Sequence, residues 1–209
     1  IGAKMVLASE TGVTDPNYLV HAIDQYGITV MHMVPSMMNV FLQSIDQGNG
    51  YSLRLFISSG EALTSNLTRH FQNKLPHVHL YNLYGPTEAT IDVTYFNCRD
   101  PQLGEAIPIG KMVDNMAGYV LDKYRNLMPP GAIGEFALSG PQVALGYHQR
   151  PDLTHKRFKS NPFARGRLHF EKFYLTGDLV RLLPDGNIDF LGRGDQQLKI
   201  RGMRVEIGA

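Results

Sequence analysis

Two periodicities alternate over residues 14–85. In TDPNYLVHAIDQYG the apolar Leu19, Val20 and Ile23 recur at helical spacing, Asp15 stands where an N-cap belongs, Pro16 takes the first helical position and Gly27 stops the run. ITVMHMV is a short apolar and β-branched run that predicts a strand, and Ser36 is then expected to cap a second helix through SMMNVFLQSIDQG. LRLFISSG predicts a second strand, TSNLTRHFQNKLP a third helix and HVHLYNLYG a third strand. Strands separated by helices of this length favour parallel pairing through right-handed crossovers. In such sheets ligands bind beyond the carboxyl ends of the strands. ISSGE and NLYGPTE both fall at such ends, so two loops are expected to converge on one crevice.

After residue 110 the pattern shortens. AGYVLD, GEFALSG and FYLTGDLVRLL read as strands, RNLMPPGAIG as a loop, and PDGN at residues 184–187 as the turn joining LVRLL to IDFLG. The expected fold class is therefore α/β: a parallel α/β sheet portion over residues 1–110, then an antiparallel β subdomain over 111–194, with 195–209 as a short final segment.

Composition narrows the function more than the fold. Among 209 residues, 20 basic side chains against 19 acidic ones give a formal charge of +1, which offers no electrostatic case for nucleic acid or a membrane surface. No apolar run approaches the roughly 18 residues of a membrane span. The lone Cys98 excludes an internal disulfide framework and fits a reducing compartment, so a cytoplasmic location is expected. The chain begins at Ile1, without a signal peptide, and stops at RVEIGA after a strand-like run; both ends are expected to be cut.

The stretch NLYGPTEATID carries the first candidate chemistry. Gly85 and Pro86 force the chain out of regular structure after an apolar strand, which leaves Thr87 and Glu88 facing whatever lies beyond it. A bare surface turn would read the same way. YGPTEAT does not stand alone, however: GEFALSGPQVALGY, YLTGDLVRLLPDGNIDFLGR and GRGDQQLKIRGMRVEIG follow in order. Together they resemble the adenylation domain of nonribosomal peptide synthetases, within the adenylate-forming, AMP-binding enzyme superfamily, and the likeness covers essentially the whole chain.

That resemblance implies a partial large domain of the adenylate-forming fold and a ligase reaction. ATP would activate an amino acid as aminoacyl-AMP, and the acyl group would pass to the phosphopantetheine thiol of a peptidyl carrier protein beside condensation domains. It implies nucleotide-binding roles for Gly60, Glu61 and Ala62, which would line adenine, and for Asn82, Tyr84, Gly85, Thr87, Asp178, Phe190 and Arg193. Tyr84 would offer an aromatic face to the base, Gly85 would let backbone approach the nucleotide, and Asp178 would accept from the ribose hydroxyls. Thr87 and Glu88 would be the catalytic pair, Glu88 holding magnesium, for which one carboxylate plus phosphates suffices. Asp195 would be the hinge to a small C-terminal domain.

The family's acyl-pocket positions fall on His32, Ile57, Ser59, Leu83, Ile91 and Asp92, a set that resembles serine-activating domains. His32 alone reads better as a core histidine on a buried strand; the matching set of six is what favours the pocket. The family's phosphate loop and amino-group aspartate would precede Ile1 and its lysine would follow Ala209, so the 209 residues by themselves are expected to be inactive. Two alternatives stand beside this reading: an acyl-CoA synthetase of the same superfamily, and a non-catalytic nucleotide-binding remnant.

Overall fold

Asp15 caps the first helix, α1 (Pro16–Tyr26). Its carboxylate accepts from the amides of Asn17 at 2.9 Å and Tyr18 at 3.4 Å, and Gly27 closes the helix in the left-handed conformation. Leu19, Val20 and Ile23 form the buried face, as the spacing predicts. The structure, a computed structural model, describes residues 2–46, 48, 50–99, 106–194, 197–200 and 203–206. Its chain divides into two compact units: Ile1–Asn82, Asn97–Ile107 and Arg201–Met203 make the first, and Leu83–Phe96, Pro108–Ile200 and Arg204–Ala209 the second.

β1 (Val30–Met33), α2 (Pro35–Ser44), β2 (Leu55–Ser58), α3 (Ser65–Lys74) and β3 (His79–Tyr84) alternate, all within the first unit except the last two residues of β3. β2 pairs parallel with both β1 and β3, in the register Met31, Phe56, Leu80. The helices cover this sheet because their apolar stripes have nowhere else to go. Phe56 from β2 sits between Phe41 of α2 at 5.9 Å and Phe71 of α3 at 5.1 Å, and Ile23, Met38, Leu42 and Leu75 of the same unit are fully buried. Thr64 caps α3 by accepting from the Leu67 amide. Cys98 is buried in this unit, and burial pushes its thiol up to about 12, which leaves it inert.

One cap differs from expectation. Val34, not Ser36, is the N-cap of α2, and Pro35 opens the helix, so Ser36 lies already inside the first turn. The cap comes instead from Glu61, whose carboxylate accepts from the Ser36 amide at 2.9 Å and from its hydroxyl at 3.1 Å. A carboxylate at a helix N-terminus also meets the positive end of the helix dipole.

The second unit is antiparallel throughout its main sheet. β6 (Ala117–Leu121), β7 (Ile133–Ser139), β9 (Lys172–Leu182) and β10 (Ile188–Arg193) lie in the order β10-β9-β7-β6, and β8 (Phe158–Ser160) pairs with β9. β4 (Thr94–Asn97) pairs with β5 (Lys111–Met112). The PDGN turn forms as predicted between β9 and β10, with the Leu183 amide donating to the Asn187 carbonyl at 2.8 Å and Asp185 accepting from the Asn187 amide. Tyr84, Ala89 and Val93 pack with Phe136, Leu138, Val180 and Ile188, which is why Leu83–Phe96 belongs with this unit. Helix α4 (Pro151–Arg157) has no buried residue, so no apolar stripe announces it in the sequence. Two short strands follow, β11 (Gln197–Ile200) and β12 (Met203–Glu206). Among the described residues no helix is long and apolar enough to cross a membrane.

Candidate nucleotide and metal site

The TGD tripeptide sits on a break in the β7–β9 ladder. Glu135 faces Leu179 and Ala137 faces Leu175, so Thr176, Gly177 and Asp178 together oppose Phe136. Gly177 supplies the φ of 77° the bulge requires, and the bulge is stitched in place. The Thr176 hydroxyl donates to the Phe136 carbonyl at 2.7 Å, the Gly177 amide to Glu135 Oε1 at 3.0 Å, and the Asp178 amide to Thr176 Oγ1 at 3.0 Å. A second register shift, between Phe190 and Gly192 of β10, brings Arg193 directly opposite Asp178.

Both oxygens of Asp178 are thereby engaged. Oδ1 accepts from the Arg193 guanidinium at 3.0 Å and Oδ2 from the Tyr84 hydroxyl, with Asp178 only 5% exposed. Burial, then the Asp178 charge, hold the Tyr84 phenol well above its ordinary value, so it stays a donor. The Tyr84 ring is enclosed between Phe136 at 5.9 Å and Phe190 at 6.1 Å and is 8% exposed. It therefore acts here as an anchor for Asp178 and offers little open face for stacking.

Glu88 lies on a 3-10 turn, Thr87–Ala89, directly after the Gly85–Pro86 break. It is buried, and its Oε1 accepts from the Tyr147 hydroxyl at 2.6 Å. Thr87, beside it, is exposed. No cluster of three or more His, Cys, Asp or Glu suited to a metal exists among the described residues. The donor set available to magnesium is thus one hard carboxylate with a neighbouring hydroxyl, which fits an ion that takes its remaining ligands from phosphates and water. The turn ends in backbone that L-residues adopt rarely: Thr90 has φ 55° and Ile91 φ 76°. For a β-branched residue such as Ile91 this is strain, of the kind that gathers at functional loops. Ile91 is 62% exposed, Leu83 and Asp92 half-buried.

The remaining expected residues lie in the first unit. His32 and Ile57 are direct partners in the β1–β2 register, and His32 Nε2 lies 2.7 Å from the hydroxyl of Ser59, just past β2. His32 is exposed, not a core histidine. Asn82 is buried opposite Ser58, and Ala62 is exposed. Glu61 is tied to α2, so its carboxylate joins the loop after β2 to the loop after β1. Glu61→Ala is expected to lower stability by about 1 kcal/mol, the usual effect of losing a cap, measured by urea unfolding. Asp195 lies outside the described residues. Tyr147 is a further residue at this site, and its one signal in the sequence is that it ends the GPQVALGY stretch that carries part of the resemblance.

The chain is 45% identical over 207 aligned residues to phosphinothricin tripeptide synthetase PhsB of Streptomyces viridochromogenes, covering 99% of this chain and 17% of that protein. It is 43% identical to vanchrobactin synthetase VabF of Vibrio anguillarum, over 99% of this chain and 8% of that one. It thus spans less than a fifth of either relative. Among solved structures it resembles the Vibrio cholerae adenylation domain AlmE in complex with glycyl-adenosine-5'-phosphate, at TM-score 0.81 and 31% identity over 94% of this chain and 36% of that one. It also resembles holo-PA1221, a nonribosomal peptide synthetase protein containing adenylation and carrier domains, at TM-score 0.84 and 32% identity over 92% of this chain and 33% of that one. A family model described as AMP-binding enzyme matches residues 1–148. The chain belongs to the AMP-binding enzyme family.

Proposed function

We propose that this chain is part of an adenylation domain of a nonribosomal peptide synthetase, activating an amino acid as its adenylate at the expense of ATP. The observation that carries this is the buried Asp178, fixed by Tyr84 and Arg193 at the bulge between β9 and its neighbours. A carboxylate held rigid is suited to the paired hydroxyls of a ribose. Arg193, paired to it, adds a positive charge suited to the phosphate side of the same ligand. Glu88 would hold magnesium against the phosphates, and the ion would neutralise charge as pyrophosphate departs.

The proposed amino acid is serine. The bonded pair of His32 and Ser59 provides polar groups able to satisfy a side-chain hydroxyl, and an analogue lacking that hydroxyl would leave them unpaired. The acyl group would then pass to a carrier-protein phosphopantetheine, as the makeup of holo-PA1221 suggests. Amino-acid-dependent ATP–pyrophosphate exchange by the full-length polypeptide tests both levels. Exchange is expected with serine and not with alanine. Exchange driven by another amino acid alone would overturn the serine assignment, and exchange driven only by fatty or aryl acids would overturn the peptide synthetase reading.

A further inference from the structure

Glu88 is held from one side by a single loop. The Ala144 amide donates to the Glu88 carbonyl at 2.9 Å, the Thr90 hydroxyl donates to the Gln142 carbonyl at 2.8 Å, and the Tyr147 hydroxyl donates to Glu88 Oε1 at 2.6 Å. The loop is itself anchored. The Tyr147 amide donates to Thr154 Oγ1 of α4 at 2.8 Å, and the Tyr147 ring meets Phe158 edge-on at 5.5 Å and 76°. The Tyr174 hydroxyl, 3.5 Å from that of Tyr147, also engages the Glu88 carboxylate.

We infer that Tyr147 is a positioning residue for magnesium, fixing the rotation of the Glu88 carboxylate through its hydroxyl. The inference rests on the reading of Glu88 as the metal ligand. A carboxylate on a short turn otherwise samples several rotamers, and each ion bound would have to select the productive one. A phenol locked by Phe158 on one side and by Thr154 through its backbone removes that freedom before any metal arrives. Partners one shell out from a metal ligand commonly change metal affinity by about 10–100-fold. Tyr147 acts through one hydrogen bond, so the low end of that range applies.

Tyr147→Phe keeps the ring and its packing while deleting the hydroxyl. The measurement is calorimetric binding of a non-hydrolysable ATP analogue to the full-length polypeptide, with and without magnesium, for the wild type, Tyr147→Phe, Glu88→Gln and the double variant. Tyr147→Phe is expected to weaken magnesium-dependent binding about tenfold and to leave magnesium-free binding unchanged, a split that a merely structural role would not produce. The double variant should behave as Glu88→Gln alone, since the hydroxyl acts only through that carboxylate. If Glu88→Gln leaves the magnesium dependence intact, the metal reading fails and the inference with it. If Glu88→Gln abolishes it while Tyr147→Phe matches the wild type, or if the two losses add, the positioning role alone is overturned.

Discussion

Asp178→Ala is expected to lower ATP–pyrophosphate exchange by roughly 10³-fold, since the two charge-assisted bonds proposed to ribose, at about 1.5–3 kcal/mol each, would be lost. It should also cost about 3–5 kcal/mol of folding stability, the usual result of removing one partner from a buried ion pair. The second effect follows from what surrounds the carboxylate. Its side chain is 7% exposed and that of Arg193 18%, so the guanidinium would keep its charge with little water to replace the lost partner. The Tyr84 hydroxyl, inside the core with Phe136, would lose its acceptor as well. Asp178→Asn separates the two consequences. The amide preserves shape and one acceptor oxygen, so stability should recover in part, whereas the anionic acceptor proposed for the ribose would be gone. Urea unfolding together with titration of an ATP analogue decides it. An Asp178→Asn variant with wild-type nucleotide affinity would remove Asp178 from the ribose site, whatever its effect on folding.

What could be read from the sequence was what is settled locally. Asp15, Pro16 and Gly27 bound α1 because a cap, a first-turn proline and a left-handed terminus each act within a few residues. The PDGN hairpin formed for the same reason. At α2 the expected Ser36 cap gives way to a carboxylate 25 residues further on, because Glu61 carries charge to the helix dipole and no local pattern marks it. Asp178 was identified by resemblance, but not its partners. Tyr84 stands 94 residues away in sequence, and Arg193 faces Asp178 only because of the register shift between Phe190 and Gly192 of β10. Alternation of apolar and polar residues carries no mark of a bulge. Tyr147 escaped because a tyrosine between a glycine and a polar run reads as loop, and its importance comes from a contact 59 residues back.

Gly85→Ala is expected to destabilise the protein by about 3 kcal/mol, the upper end for an overpacked site, and to raise the KM for the amino acid more than that for ATP. The glycine lies in YGPTE, where close approach of backbone to nucleotide was the expected reason for it. Its own loop also crowds the position: a Cβ at Gly85 would lie 2.0 Å from the Ile91 carbonyl oxygen, 2.6 Å from its carbon and 2.8 Å from Asp92 Cα. All three are backbone atoms, so no side chain can swing aside, and the segment running through the strained Thr90 and Ile91 must move as a body. That segment carries two of the proposed acyl-pocket residues, Ile91 and Asp92, which is why the amino acid should feel the change first. Gly194→Ala is the matched control, because its Cβ would meet only Leu179 side-chain atoms at 3.4 Å and a carbonyl at 3.5 Å. It should change stability by no more than about 0.5 kcal/mol. If Gly85→Ala unfolds at the same urea concentration as Gly194→Ala and keeps its KM for the amino acid, the loop tolerates displacement and its closure against Gly85 does not shape the acyl pocket. If ATP affinity alone falls, the glycine serves the nucleotide after all.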